Sequence, residues 1–420
     1  MAETNTFSLA SGSFAAYWSR RMQRKYYNTG VFKALASFEE QPTLKKGYRV
    51  HRPLRSELGV NDLGADGLYS RQALIDTDEY LDVDTKKEVT FNTTDYEEIQ
   101  HNYKVRNEYA DEAGERLGEA MDGDFLSQIA NADSSVDETD IGGGTAENGV
   151  TPTATNIYKF FSIAGRKLSR LNVPKSNRVA VIGPEMIQVL EDYRVNRDTA
   201  DGDKVLNNGF TGMRQGGFDI YESNGIYWTG SLAMGTLPTE GDTVVISDGI
   251  TEVTFTFNAT LGSDEGDVHI TSSAATQVDL LVAAINAPTV DVGEAANTGF
   301  TAFNSGTDLS IRQANLLKKL TASDGTTTLE IVAKALGYLT VTETLTASAD
   351  VWTAESQIQE CYFGRKKAVD MVVQKYPNMA AYHRSGYVSH DIVSWNLYGI
   401  KSFDEGDREM CRVLIRTDAF

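Results

Sequence analysis

"GFTGMRQGGFDIYESNGIYW", residues 209–228, sets four glycines within its first nine residues and then runs into an aromatic, strand-like stretch. Glycines at that density cradle a phosphate in some folds and only let the backbone turn in others. The spacing here is G-x-x-G-x-x-x-G-G, neither G-x-G-x-x-G nor the lysine-bearing phosphate loop. Both of those motifs open a helix, whereas this one precedes a predicted strand at 218–223. Gly212, Gly216 and Gly217 are therefore turn or close-approach glycines, and the stretch predicts no nucleotide site.

Upstream, "NRVAVIGPEMIQVLEDY" (177–193) predicts a strand at 179–182, a Gly-Pro turn and a helix with Pro184 at its first position. Another helix is expected at 156–170, with Ile157, Phe160, Phe161, Ala164 and Leu168 on one face. A polar, glycine-rich loop (132–152) leads into it. Earlier still, Thr94 to Glu97 reads as a capping box, and Ile99, Tyr103, Ala110, Leu117, Met121, Phe125 and Ile129 recur at helical spacing. A helix over 95–131 would be on the order of 55 Å long, against a radius of gyration of about 15 Å for a compact domain of about 150 residues. It would be the spine of an elongated subunit. Gly114, Gly118 and Gly123 each cost about 1 kcal/mol in a helix and mark places for a kink or break.

Nearer the N-terminus, Phe14, Trp18 and Met22 recur every four residues as in a helix. "KKGYRVHRP" (45–53) predicts a strand closed by Pro53, and "KKEVTFN" (86–92) is its matching strand. Between them, 54–85 is rich in Gly, Asp and Leu without a clear period. So long a connection is usually functional, and folded back on itself it would extend a hairpin by up to about 50 Å.

From Thr229 to Glu355 the composition changes: only four of the 39 Lys/Arg and one of the 19 tyrosines fall there, with sixteen acids and many threonines. Expected elements are a hairpin turning at Asp248–Gly249, strands near 267–272, 308–313 and 327–333, and a short helix near 277–286. The flanks resemble each other and not the middle, which argues for an inserted domain.

At 420 residues the chain has room for about three domain-sized units. The composition is that of a soluble globular protein, with no apolar run near the length of a membrane span; "LLVAAINA" (280–287) is the longest. The start lacks the pattern of a secretory signal, and Cys361 and Cys411 form no CxxC pair, so a cytosolic, reducing site of synthesis is expected. A formal charge of −20 argues against wrapping nucleic acid with the whole surface. Residues 1–55 are the exception, with ten Lys/Arg against three Asp/Glu. Such a basic arm either meets an acidic surface, such as a neighbouring copy, or is a solvated helix.

No constellation points to catalysis. His51, His101, His269, His383 and His390 form no HExxH and no zinc-like cluster, and there is no G-x-S-x-G elbow. Acids gather at 76–88 and 133–140, without the spacing of a calcium loop, and read as solvated loops. The expected catalytic, cofactor and metal sites are none.

The order of these parts resembles the major capsid proteins of tailed bacteriophages, with the Hong Kong 97-type fold. The resemblance rests on "NRVAVIGPEMIQVLEDY", "GFTGMRQGGFDIYESN" and the closing "YFGRKKAVDMVVQ", "YVSHDIVSWNLYGIKSF" and "CRVLIRTD" segments, including Tyr398–Gly399. It covers roughly 10–228 and 357–420. It implies an α+β chain with an N-terminal arm (1–44), an extended loop hairpin (45–93), a peripheral domain with the spine helix (94–175) and an axial domain begun by 176–228. Residues 357–420 would complete the axial and peripheral domains, and 229–356 would be an inserted, β-rich α+β domain.

The implied function is a shell of pentamers and hexamers, an icosahedral head enclosing double-stranded DNA without sequence-specific binding. The protein would be made in the host cytoplasm and end in the virion. Portal and scaffolding proteins, and a decoration protein, are the implied partners, with no membrane. An arm helix starting near residue 14 leaves no room for a fused scaffolding domain, so a separate scaffold is implied. The loop 54–85 holds no lysine, so the shell is expected to be non-covalent; its ion pairs to a neighbour would join Arg49, Arg52 and Arg55 to Asp76, Asp78, Glu79, Asp82 and Asp84. Two other readings stay open at this point: an encapsulin-like nanocompartment shell, and a monomeric binding protein or adhesin using the insert.

Overall fold

A computed structural model describes residues 30–44, 47–55, 58–62, 67, 71–74, 76–94, 105–195, 214–259, 266–271, 273–286, 311–334, 336, 338–345, 357–383, 387 and 389–416. In chain order these form α1 (Phe32–Leu35), β1 (Arg49–Arg55), β2 (Asp76–Asp82), β3 (Thr85–Thr94) and α2 (Val105–Leu126), which ends in a 3-10 turn (Ser127–Asn131). There follow β4 (Ser134–Val136), α3 (Glu138–Ile141), α4 (Ile157–Arg170), β5 (Arg178–Ile182), α5 (Pro184–Val195), β6 (Arg214–Gln215), β7 (Phe218–Glu222) and β8 (Tyr227–Ala233). Next come β9 (Thr243–Ser247), β10 (Glu252–Asn258), β11 (Asp267–His269), α6 (Ala274–Asn286), α7 (Ile311–Leu317), β12 (Leu320–Asp324), β13 (Thr328–Ala333) and β14 (Thr340–Glu343). The chain closes with β15 (Ile358–Arg365), β16 (Val369–His383), β17 (Ser389–Ser402), α8 (Asp404–Arg408) and β18 (Met410–Arg416). The fold is α+β in two compact units, Gly118–Arg365 with Met1–Phe32 and Met410–Phe420, and Lys33–Leu117 with Lys366–Glu409.

The first unit is built on a nine-stranded sheet. Strand β15 is buried from Gln359 to Gly364, as a strand covered on both faces must be. On one face lies α4, whose buried residues are the expected Ile157, Phe160, Phe161, Ala164 and Leu168. There Phe363 meets Phe161 and Phe218 edge-on at 5.2 and 5.4 Å, and Phe161 and Phe218 lie tilted at 6.4 Å. On the other face Phe125 of α2 tilts over Tyr362 at 6.1 Å. Helix α2 runs through Gly114, Gly118 and Gly123 without a break; the predicted residues 95–104 lie outside the described ones.

A second core in this unit takes Trp228 and Leu232 of β8 together with side chains of β9, β10, α6, β12, β13 and β14. The Asp248–Gly249 turn forms as expected, with Gly249 at φ 82° and Asp248 N–H donating to the Thr251 carbonyl at 3.2 Å. The strand expected near 308–313 is a correction: Ile311–Leu317 is helical, because Ala314 and Leu317 recur at the helical spacing and are both buried.

In the second unit the strand partners differ from expectation. β1 pairs antiparallel with β2, Arg49 opposite Asp82, and runs past Pro53, which a two-stranded ribbon tolerates because its outer edge needs no donor. The "matching" 86–92 segment instead lies in β3 and pairs with β17 in a separate three-stranded sheet with β16. The arm helix expected around Phe14, Trp18 and Met22 lies outside the described residues.

The glycine stretch resolves as a hairpin turn. Gln215 pairs with Phe218, leaving Gly216 (φ 58°) and Gly217 (φ 93°) as a two-residue connection with both central φ angles positive. Gly209 and Gly212 lie outside the described residues. A methyl group at Gly216 would fall 2.8 Å from Phe161 Cβ, while at Gly217 it would meet nothing within 4 Å. Gly217→Ala should therefore cost about 1–2 kcal/mol from its backbone alone. Gly216→Ala should cost about 1–3 kcal/mol more, because it also overpacks α4. Urea unfolding of the two variants measures the difference, and equal losses would show that α4 yields.

Candidate functional site

The residues with chemistry-bearing side chains are mostly engaged within the chain. His51 Nδ1 lies 2.6 Å from Asp78 Oδ2, and the His383 and His390 rings meet edge-on at 5.3 Å. His269 sits on β11, and His101 lies outside the described residues. Among the described residues no group of three or more His, Cys, Asp or Glu could hold a metal ion. Burial pushes the Cys361 thiol well up and the Cys411 thiol to about 11, so neither is a thiolate nucleophile at neutral pH.

The two acidic stretches are not simply solvated. In 76–88, Asp82 takes two hydrogen bonds from Arg49, at 2.6 and 2.8 Å, and Glu79 accepts from Asp404 N–H at 3.3 Å. In 133–140, Asp137 caps α3 through Thr139 N–H at 3.0 Å and holds Glu147 N–H at 3.0 Å with its other oxygen. Asp140 pairs with Lys167 and, at 3.6 Å, with Arg166. Of the residues expected to pair across subunits, Arg49, Arg52, Asp78, Glu79 and Asp82 have partners within the chain. Arg49 is taken up by Asp82, and Arg52 reaches Asp370 at 3.3 Å and Glu405 at 2.7 Å. The β1–β2 register puts Arg49 and Asp82 opposite each other, so no neighbour is needed to satisfy them. Among its exposed residues the hairpin also carries large apolar ones, Leu58, Val60 and Leu74, near a reciprocal clamp between the Gln72 amide and the Gly59 backbone at 2.9 and 2.6 Å.

Three buried charges were not legible as special. Arg178, 4% exposed, donates to the carbonyls of Gly165, Val173 and Pro174 and to Ser169 Oγ, tying the last turns of α4 to the segment that follows it. Asp122 accepts Val31 N–H at 2.7 Å and Phe32 N–H at 2.9 Å with one oxygen and Ser223 Oγ–H at 3.4 Å with the other. Burial nevertheless raises its carboxyl to about 6. Glu360 is likewise raised to about 6 by burial, partly offset by Arg412, whose guanidinium lies 3.9 Å away and also holds Glu147.

Folded, these two carboxyls keep their protons up to about pH 6; unfolded, they release them in the ordinary carboxylate range of about 4. The folded state binds more protons in that window, so their contribution to stability is present at low pH and lost as pH rises through about 6. Each is worth on the order of 2 kcal/mol between full protonation and full ionisation. Denaturant midpoints should therefore be higher near about pH 5 than near about pH 7.5. Asp122→Asn and Glu360→Gln should each flatten part of that slope. A wild-type midpoint that climbs over the same interval would contradict it.

Neither a family model nor a curated protein matches the sequence. Solved structures do match along nearly the whole chain. One from Mycobacterium phage Che8 is 15% identical, with TM-score 0.55, covering 96% of this chain and 97% of its own. The capsid structure of cyanophage P-SCSP1u is 13% identical, with TM-score 0.50, covering 96% and 94%. The asymmetric unit of the bacteriophage PhiM1 mature capsid is 10% identical, with TM-score 0.50, covering 95% and 91%. The fold of this chain is that of phage capsid proteins, the Hong Kong 97-type fold.

Proposed function

We propose that the chain is a major capsid protein that assembles as pentamers and hexamers into a closed icosahedral head around double-stranded DNA. The observation that carries this reading is a likeness spanning 96% of this chain and 97% of the matched one, so that the two share a whole subunit plan and not one common motif. A ribbon of two strands is marginal alone in water. The exposed Leu58, Val60 and Leu74 of the β1–β2 hairpin therefore fit a segment completed by a second copy. In this reading 1–44 is the arm, 45–93 carries the extended loop, 94–175 and 176–228 begin the peripheral and axial domains, and 357–420 completes them. The protein acts without catalysis in the virion, after synthesis in the host cytoplasm, with portal, scaffolding and decoration proteins as partners and no membrane. Expressed alone or with neighbouring gene products, it should yield closed particles by electron microscopy. Their subunits should separate fully in denaturing gels. A monomer that persists at high concentration would sink the reading.

Residues 229–356 are proposed as a domain inserted into that plan. Thr229 and Ile358 are direct partners across β8 and β15, so the chain leaves and returns at adjacent residues about 5 Å apart. Replacing Gly230–Gln357 by Asn-Gly would close β8 and β15 as a hairpin in their existing register. Trp228 would lose the core that now covers it, so the replacement should be paired with Trp228→Thr. A soluble, cooperatively unfolding subunit is expected. An aggregated or unfolded product would mean that the segment is part of the subunit's own core.

A further inference from the structure

The chain contains three Asn-Gly pairs, Asn148–Gly149, Asn208–Gly209 and Asn224–Gly225. Such pairs can cyclise, because a glycine has no side chain to hinder its peptide nitrogen from reaching the preceding amide carbon. The slow step is removal of the proton from that nitrogen. Asn148 is tied down: its amide donates to Glu138 at 3.4 Å, and a Cβ on Gly149 would lie 3.0 Å from the backbone of Ile415 and Arg416. Asn208 lies outside the described residues.

Asn224 is different. It is exposed, in the bend between β7 and β8, while Ser223 and Gly225 on either side are buried. Gly225 N–H donates to Ser223 Oγ at 3.0 Å, and Ser223 Oγ–H donates to Asp122 Oδ2 at 3.4 Å. The other carboxylate oxygen is fixed by Val31 and Phe32, which aims Oδ2 at the serine. The line carboxylate, hydroxyl, N–H is a proton relay ending on the nitrogen that must lose its proton.

We propose that Asn224 is a self-modifying residue, cyclised by the Gly225 peptide nitrogen with Ser223 and Asp122 as the base relay. The Gly225 proton passes to Ser223 Oγ as the serine's own proton passes to Asp122. The nitrogen lone pair forms a bond to Asn224 Cγ. Collapse of that adduct breaks the Cγ–Nδ2 bond, and Nδ2 leaves as ammonia with a proton returned through the relay. Water then opens the five-membered succinimide at either carbonyl, giving aspartate or isoaspartate. The net change is amide plus water to carboxylate plus ammonium, with no oxidant or reductant. The raised basicity of the buried Asp122, which titrates at about 6, makes it a stronger acceptor than a surface aspartate while leaving it mostly ionised at neutral pH.

The test is peptide mapping with heavy-oxygen water as the label, run on the folded protein, the protein in urea and a synthetic peptide spanning 218–230. Asn224 should convert about tenfold or more faster in the folded protein than in either unfolded form, the low end of general-base catalysis. Asn148 should convert more slowly folded than unfolded. Ser223→Ala and Asp122→Asn should each remove the folded-state acceleration at Asn224 and leave the Asn148 rate and the circular dichroism spectrum unchanged. Folded Asn224 converting no faster than the peptide, or keeping its rate in both variants, would overturn the proposal. The wild-type comparison decides the matter even if a variant does not fold.

Discussion

Strand β15 has only two edges and serves three partners. One edge is paired with β18 from Ile358 to Gly364. The other is divided: Ile358–Glu360 belong to β8, and Tyr362–Arg365 to β5, with the change of partner at Cys361. The two neighbours lead to different cores, since Trp228 of β8 packs with β9 to β14 while Ala180 and Ile182 of β5 pack with α4 and α5. The register of β15 therefore fixes both. A slip of one residue would turn Phe363 away from Phe161 and Phe218 and put Tyr362 or Gly364 in its place, so the aromatic trio and the divided edge enforce each other.

Side-chain amides extend the sheets where no strand is available. Gln41 donates to the Val373 carbonyl at 2.6 Å and accepts Val373 N–H at 2.8 Å, so one side chain makes both bonds of a strand residue. Gln357 does the same to Val341, at 3.0 and 2.8 Å, and Asn286 to Ala322, at 2.9 and 2.8 Å. An amide carries the donor and acceptor of a peptide group on a flexible stem, so it can register an irregular segment against a strand. Each bond is worth only about 0.5–1.5 kcal/mol net. Their weight lies in pairing backbone groups of β12, β14 and β16 that would be costly to leave unpaired.

What the sequence reveals is local. The face of α4, Pro184 opening α5, the Asp248–Gly249 turn and the turn at Gly216–Gly217 were each readable because their determinants lie within a few residues. Partner choice is not local: β3 looked like the mate of β1 by composition, yet it pairs with β17 some 300 residues away. The charges failed for the same reason. Arg49 looked available to a neighbour until β1 paired with β2 and set it opposite Asp82, and Arg52 until the fold brought it to Asp370 and Glu405. Asp122 and Ser223, which are 101 residues apart, form a relay only after the chain has folded. Nothing in the sequence around Arg178 marks it as the residue that ties the end of α4 to the turn that follows it.

The β1–β2 hairpin shows how backbone contact can decide where a charged segment sits. Gly399 lies where the Asp82 carbonyl crosses β17, and a Cβ there would be 2.2 Å from that oxygen. The approach is available only to glycine, and it brings Leu81 into a core with Val50, Val372 and Phe403. Val83 N–H then reaches the Tyr48 carbonyl at 2.7 Å, and Lys401 Nζ reaches the Tyr80 carbonyl at 2.8 Å. Once the base is fixed, Arg49 stacks over the Tyr80 ring at 3.8 Å while bonded to Asp82, so its charge is satisfied by geometry that begins at Gly399. Farther along the hairpin, beyond the Gly59–Gln72 clamp, Val60 is fully exposed. The base of the ribbon is thus held by close backbone packing, and the pairing of Arg49 with Asp82 follows from the register set there.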